Sequence, residues 1–297
     1  MTYSVVARDP ETGVLGVAVQ SAVVAVGNRV PWVRPGVGVV ASQAFTEPAY
    51  GPRCLDAIAA GAGAADALAQ ASAADPEPMM RQVAVVAADG TVAVRTGGAC
   101  IDAAGHVSGD GFAVQANMMA GDRVWPAMAE AFTGARGPFP RRMLAALRAA
   151  QDAGGDARGV MSAAVMVVAG QAAQPWAGRL VDVRVDHSTD PLGELDALLS
   201  AHDAWQHLNR GVDALYSGDA TAALAEVHAG LAGLPGEENL RFLRARALLA
   251  KGDVEAGGAE LRALIAARPS WEVLVRGFAA KGLLTLAPGM SLESLLG

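Results

Sequence analysis

The sequence predicts a layered α+β domain followed by a small all-α domain built from a helical repeat. Three observations carry this reading. Strand-like and helix-like stretches come in segregated blocks along the first part of the chain, the pattern of antiparallel sheets with helices stacked on them and not of a doubly wound fold. Beyond about residue 190 nothing strand-like remains. There, a self-similarity with a period of 34 residues takes over.

The first strand pattern starts at residue 2. "TYSVVAR" leads into "DPETG", where Pro10 presets φ at a turn position and Gly13 supplies a positive φ, and "VLGVAVQS" returns. Residues 2–21 therefore read as a hairpin. "AVVAVGNRVPW" reads as a loop and "GVGVVASQAF" as a third strand. Residues 46–75 carry helical spacing (Leu55, Ile58, Ala59, then Ala65, Leu68, Ala69), divided into two helices at Gly61 and Gly63. "RQVAVVAADGTVAVRTG" is a second hairpin turning at Asp89–Gly90. "GFAVQANMMAG" is a further strand, residues 122–152 are helical with a break at "GARGPFP", and "SAAVMVVAG" and "GRLVDVRVDH" are two more strands.

In the C-terminal part, "ALYSGDATAALAEVHAGLAGLP" aligns with "LLAKGDVEAGGAELRALIAARP". Gly218 and Gly252 stand 34 residues apart, as do Asp219 and Asp253, Glu226 and Glu260, and Pro235 and Pro269. A Gly at the inter-helix turn and a Pro closing the unit resemble the tetratricopeptide repeat, although its usual Trp and Tyr positions are not clearly filled. The expected domains are residues 1–192 and 193–297.

Composition narrows the function classes. The chain is 52% hydrophobic and 18% charged, with a formal net charge of −7, so it lacks the basic footprint of a nucleic-acid binder and the attraction to an anionic membrane. Its longest apolar runs fall far short of the ~20 residues of a membrane helix. Asp9, Pro10 and Glu11 interrupt the first apolar run, against a secretion signal, and a cytoplasmic location is expected. Cys54 and Cys100 are expected to be free thiols. The five histidines show no metal-ligand spacing and no phosphate-loop pattern is present, so neither a metal nor a cofactor is expected.

The chemistry concentrates at the N-terminus. Removal of Met1 before the small Thr2 would place a hydroxyl and an α-amine on one residue, and a threonine paired with its own amine is an activated nucleophile. The amine's ordinary pKa of roughly 7.7–8.0 leaves part of it neutral and able to take the hydroxyl proton. Ser4 shares the face of Thr2 on the same strand, either lining the site or packing.

The hairpin, "GVGVVASQAFTEPAYG", "GFAVQANMMAG", "GGDARGVMSAA" and "VDVRVDHSTDP" together resemble the uncharacterised bacterial family called domain of unknown function 1028, over residues 1 to about 200. That family is regarded as having the N-terminal nucleophile (Ntn) hydrolase fold. The resemblance implies a four-layer αββα sandwich and cleavage of an amide C–N bond through an acyl-enzyme. It implies Thr2 as nucleophile and Arg29, just before the third strand, as the cation that tunes it. Ser42 and Gln43 at the end of that strand are candidate donors, as is Asn117, with Gln115 on the same face. Asp156 and Arg158 are placed to border the pocket. Each has a structural alternative. Arg29 serves equally as a solvated loop charge, Gln43 and Asn117 as internal hydrogen-bonding residues, and Asp156 as a turn residue of "AGGDARG". The functional expectation is a hydrolase of a small amide or peptide. The alternative is a non-catalytic binding or scaffold protein that holds a protein partner on its C-terminal helices. A homo-oligomer is expected in either case.

Overall fold

The computed structural model describes residues 2–171, 174, 177–286 and 288–297. Met1, on whose removal the N-terminal chemistry depends, lies outside them. The fold is α+β and divides into a unit that runs to Leu199 and a unit covering Ser200–Gly297.

In the first unit, β1 (Thr2–Arg8) and β2 (Leu15–Ser21) form the expected hairpin. They join β7 (Gly105–Gly109), β8 (Phe112–Asn117), β9 (Ser162–Val168) and β10 (Arg179–Val185) in an antiparallel sheet of order β10-β9-β2-β1-β8-β7. The second sheet, β3-β4-β5-β6, holds β3 (Pro31–Arg34), β4 (Gly38–Ala44), β5 (Arg81–Ala87) and β6 (Val92–Thr96).

Strand alternation sorts the side chains into cores. Val6, Val17 and Val19 pack against Val39, Ala41, Ala84 and Val86 between the two sheets. Tyr3, Val5 and Ala7, on the other face of β1, pack on Met128, Met143, Leu144 and Leu147 of α3 (Val124–Gly134) and α4 (Phe139–Asp152). Val40, Val83 and Val85 meet Tyr50, Cys54, Leu55 and Leu68 of α1 (Tyr50–Ala59) and α2 (Ala64–Ala73). Each of these buried Val, Leu and Met side chains stabilises the fold by about 1.5–3 kcal/mol. Cys54 and Cys100 are buried free thiols.

Two strands differ from the sequence reading. Residues 31–34, of which Pro31 and Trp32 close the expected loop, form β3 at a sheet edge, where a proline as first residue costs no ladder hydrogen bond. β7, "GHVSG", is largely exposed and shows no apolar alternation, and its pairing with β8 makes it a strand.

The helix α5 (Pro191–Tyr216) spans the division between the units. The second unit continues with α6 (Ala220–Gly233), α7 (Glu238–Ala250), α8 (Val254–Ala267), α9 (Trp271–Ala280) and α10 (Leu292–Leu296). The sequence period reappears as equivalent contacts. Gly218 and Gly252 take φ of 85° and 86°, and Asp219 and Asp253 cap α6 and α8 by accepting from Ala222 N and Ala256 N. Glu226 bonds His207 and Arg210, and Glu260 bonds Arg241 and Arg244 at the corresponding positions one period on. Among the described residues no helix is long and apolar enough to cross a membrane.

One close approach seats α1 against β3. A Cβ on Gly51 in α1 would lie 2.1 Å from Cγ of Trp32 on β3, and the Trp32 indole N–H donates to the Arg29 carbonyl at 3.3 Å. Gly51→Ala is expected to cost about 1–3 kcal/mol by overpacking, read as a lower midpoint in thermal or denaturant unfolding.

Candidate functional site

β1 lies inside the six-stranded sheet, so its first residue is paired on both sides: Thr2 faces Ser21 on β2 and Asn117 on β8. Alternation turns Thr2, Ser4, Ser21, Gln115 and Asn117 toward the second sheet, the face that Val6 and Val19 occupy farther along. At this end the space between the sheets is filled by polar side chains, with Gln43 and Gln82 arriving from β4 and β5.

These groups bond to one another. The Thr2 carbonyl accepts from Gln43 Nε2 at 3.0 Å and from Asn117 Nδ2 at 3.3 Å. The same two amides donate to Gln82 Oε1, at 2.8 and 3.0 Å. Gln82 Nε2 in turn donates to Thr96 Oγ1 and to the carbonyls of Gly105 and Ala116. Ser4 Oγ donates to Gln43 Oε1 at 2.7 Å, and Gln115 Nε2 donates to Ser4 Oγ at 3.2 Å and the Ala41 carbonyl at 3.0 Å. The network holds the backbone of Thr2 from inside the protein.

The Thr2 side chain faces outward from this network. Its Oγ1 is 3.0 Å from Ser21 Oγ, and both residues line a cavity of about 490 Å³. Arg29 and Arg81 also line it, with Val24 and Phe45 among its apolar walls. Arg81 is fixed there by Asp75, with Nε 2.9 Å from Oδ2, and its Nη1 donates to the Phe45 carbonyl at 2.8 Å. Tyr50 and the backbone N–H of Glu77 donate to the same carboxylate. The Arg81 hydrogen bond, aided by these donors and opposed by burial, holds the Asp75 carboxyl below its ordinary range.

The backbone around the cavity is strained. Ala44, on its wall, has φ 69°; Ala25, beside the lining residues Val24 and Val26, has φ 54°; and Met118, next to Asn117, has φ 56°. Left-handed backbone at a non-glycine residue costs roughly 1–3 kcal/mol and clusters at functional sites.

The expected site residues thus fall into separate groups. Thr2 and Arg29 share the cavity. Asn117, Gln43, Ser4 and Gln115 belong to the buried network behind it. Ser42 points to the opposite face of its strand, where Oγ donates to the Glu47 carbonyl. Asp156 accepts from the backbone N–H groups of Ala22 and Arg158 and pairs with the Arg158 guanidinium, a role that organises its own loop and the end of β2. Ser21, Gln82 and Arg81 were not anticipated. The hairpin register carried a signal for Ser21, since a turn at residues 9–13 sets residue 21 opposite residue 2. Gln82 and Arg81 sit at the start of a strand whose approach to Thr2 is set by sheet packing.

The model of a family described as being of unknown function, DUF1028, matches residues 2–195. The chain belongs to that family. A crystal structure of the DUF1028 protein SPO2555 from Silicibacter pomeroyi is similar to it, with 32% sequence identity and a TM-score of 0.62, over 69% of this chain and 89% of that one. No curated protein matches the chain. The DUF1028 match begins at the residue whose hydroxyl lines the cavity and ends before the C-terminal helical unit.

Two outcomes follow for this DUF1028 unit. Gln82→Leu removes the acceptor of two buried amides and the donor to three oxygens, at roughly 1–3 kcal/mol for each group left unpaired, measurable by denaturant unfolding. Asp75, whose carboxyl is depressed in the folded chain, stabilises fully above the ordinary carboxylate pKa and loses that contribution as pH falls through its folded value. Asp75→Asn is therefore expected to be less stable than the parent near neutrality and to approach it in strong acid, read from unfolding midpoints across pH.

Proposed function

We propose that the DUF1028 unit is an Ntn-type hydrolase that cleaves an amide C–N bond of a small molecule or peptide, with Thr2 as nucleophile once Met1 is removed. The observation that carries this reading is the mounting of Thr2. Its hydroxyl lines a cavity beside Ser21, while its backbone is paired in the sheet and bonded to Gln43 and Asn117. The stacking of helices, sheet, sheet and helices supports an αββα sandwich of the Ntn-hydrolase kind. The equivalent turns, caps and Glu-centred contacts of the second unit support a tetratricopeptide-like extension.

In this reading the free α-amine of Thr2 takes the proton of its own hydroxyl as Oγ1 attacks the amide carbonyl carbon. The tetrahedral intermediate collapses by breaking the C–N bond, and the ammonium proton leaves with the amine. Water, deprotonated by the same α-amine, then attacks the Thr2 ester and releases the acid. Rigid placement contributes as well, since a nucleophile fixed in an attacking geometry avoids the entropy cost of being oriented during reaction.

A β-lactone probe tests the assignment, with intact-mass and peptide mass spectrometry as the readout. The expected result is a purified chain that begins at Thr2, carries one adduct on that residue, and loses the adduct in Thr2→Ala. A chain that retains Met1 overturns the mechanism. Absence of the adduct from a Met1-free chain favours the binding-protein alternative.

A further inference from the structure

The two guanidinium groups of the Thr2 cavity are not equivalent. Arg81 is occupied, with Asp75 at 2.9 Å, the Phe45 carbonyl at 2.8 Å and Glu77 Oε2 at 3.6 Å. Arg29 is exposed, follows the short 3-10 turn Val26–Asn28, and lies on the cavity wall. Among the described residues its guanidinium has no ion-pair or hydrogen-bond partner, and none of the described residues lining the cavity is acidic. The cavity therefore presents one cation whose charge the protein leaves unanswered.

The wall around that cation is apolar and open to solvent. Val24 is 59% exposed, Phe45 43% and Val23 39%, and all three line the same cavity as Thr2 and Arg29. Large apolar side chains grouped at one exposed site mark a binding surface more than a structural one. A guanidinium presents a planar fork of donors that matches a carboxylate with two parallel hydrogen bonds. A ligand that satisfies both features has an anionic carboxylate next to an apolar group.

Resting on the hydrolase reading above, we infer that the amide this site accepts carries a carboxylate beside an apolar side chain, as an N-acyl amino acid or a short peptide with a free C-terminus does. Arg29 pairs the carboxylate, and Val23, Val24 and Phe45 hold the apolar side chain. The scissile carbonyl is presented to Thr2 Oγ1. Attack there and hydrolysis of the ester by water yield the acyl acid and an amine product that keeps the carboxylate. Arg29 is, on this inference, the residue that determines specificity for charge.

N-acetyl-L-phenylalanine and N-acetyl-L-phenylalaninamide are the probes, since they share the amide and the apolar group and differ in the charge. Titration calorimetry of the full chain at low salt is expected to show the carboxylate binding about tenfold or more tightly than the carboxamide. The preference should vanish in Arg29→Gln, return in part in Arg29→Lys, and shrink as salt is added. Equal binding of the two probes, binding of neither, or a preference that survives Arg29→Gln overturns the inference. β-Lactone labelling of the same proteins separates it from the reading it rests on. An adduct on Thr2 without carboxylate preference keeps the hydrolase and discards this substrate class. A preference that depends on Arg29, without an adduct on Thr2, supports carboxylate recognition and removes the hydrolase.

Discussion

Thr2 is paired across to Ser21 on one side and Asn117 on the other, and its carbonyl is held by two amides from the space between the sheets. The end of a chain ordinarily frays, because few contacts repay the entropy of ordering it. Here the pairing on both flanks and the polar network beneath remove that freedom. Much of the site depends on this constraint. It decides that Thr2 faces the second sheet, that Ser21 meets its hydroxyl, and that Gln43 and Gln82 come together with Asn117 beneath it.

The polar network also explains an unusual distribution of residues. The region between the sheets is apolar along most of β1 and β2 and then changes to Ser, Gln and Asn at the Thr2 end. Buried amides are costly unless bonded, and Gln82 meets that requirement by accepting from Gln43 and Asn117 while donating toward β6, β7 and β8. A network of this kind fixes geometry more tightly than an apolar core, because each side chain must keep its orientation to keep its partners. The wall of the cavity is braced separately, by the Asp75–Arg81 pair reaching the Phe45 carbonyl.

The strained backbone of Ala25, Ala44 and Met118 gathers at the same end of the domain. Each of these residues sits in a region that L side chains avoid, at a cost of roughly 1–3 kcal/mol that the stability of the surrounding sheets offsets. The helical unit follows a different logic. Its contacts repeat with the sequence period: in each helix pair an Asp caps the second helix, and a Glu of that helix pairs with an Arg of the first.

The elements with strong local signals were legible in the sequence. The hairpin at residues 2–21, the Asp89–Gly90 turn, the helix break at Gly61 and Gly63 and the C-terminal period each rest on turn chemistry or spacing that acts within a few residues. Thr2 was legible for the same reason, since its position at the start of a strand pattern is local. The strands β3 and β7 were not, because each exists through pairing with a neighbour and not through its own apolar alternation. The roles of the polar residues were also beyond local reading. Gln43 and Ser42 are adjacent in sequence, yet one meets the Thr2 carbonyl and the other turns to the opposite face. Gln82 and Arg81 likewise part, one into the network and one onto the cavity wall. The sequence by itself determined the strands and turns that carry their own local signal, and that a hydroxyl heads the first strand. The packing of one sheet against the other decided which side chains meet it, because that packing selects, from each alternating pair, the residue that faces Thr2.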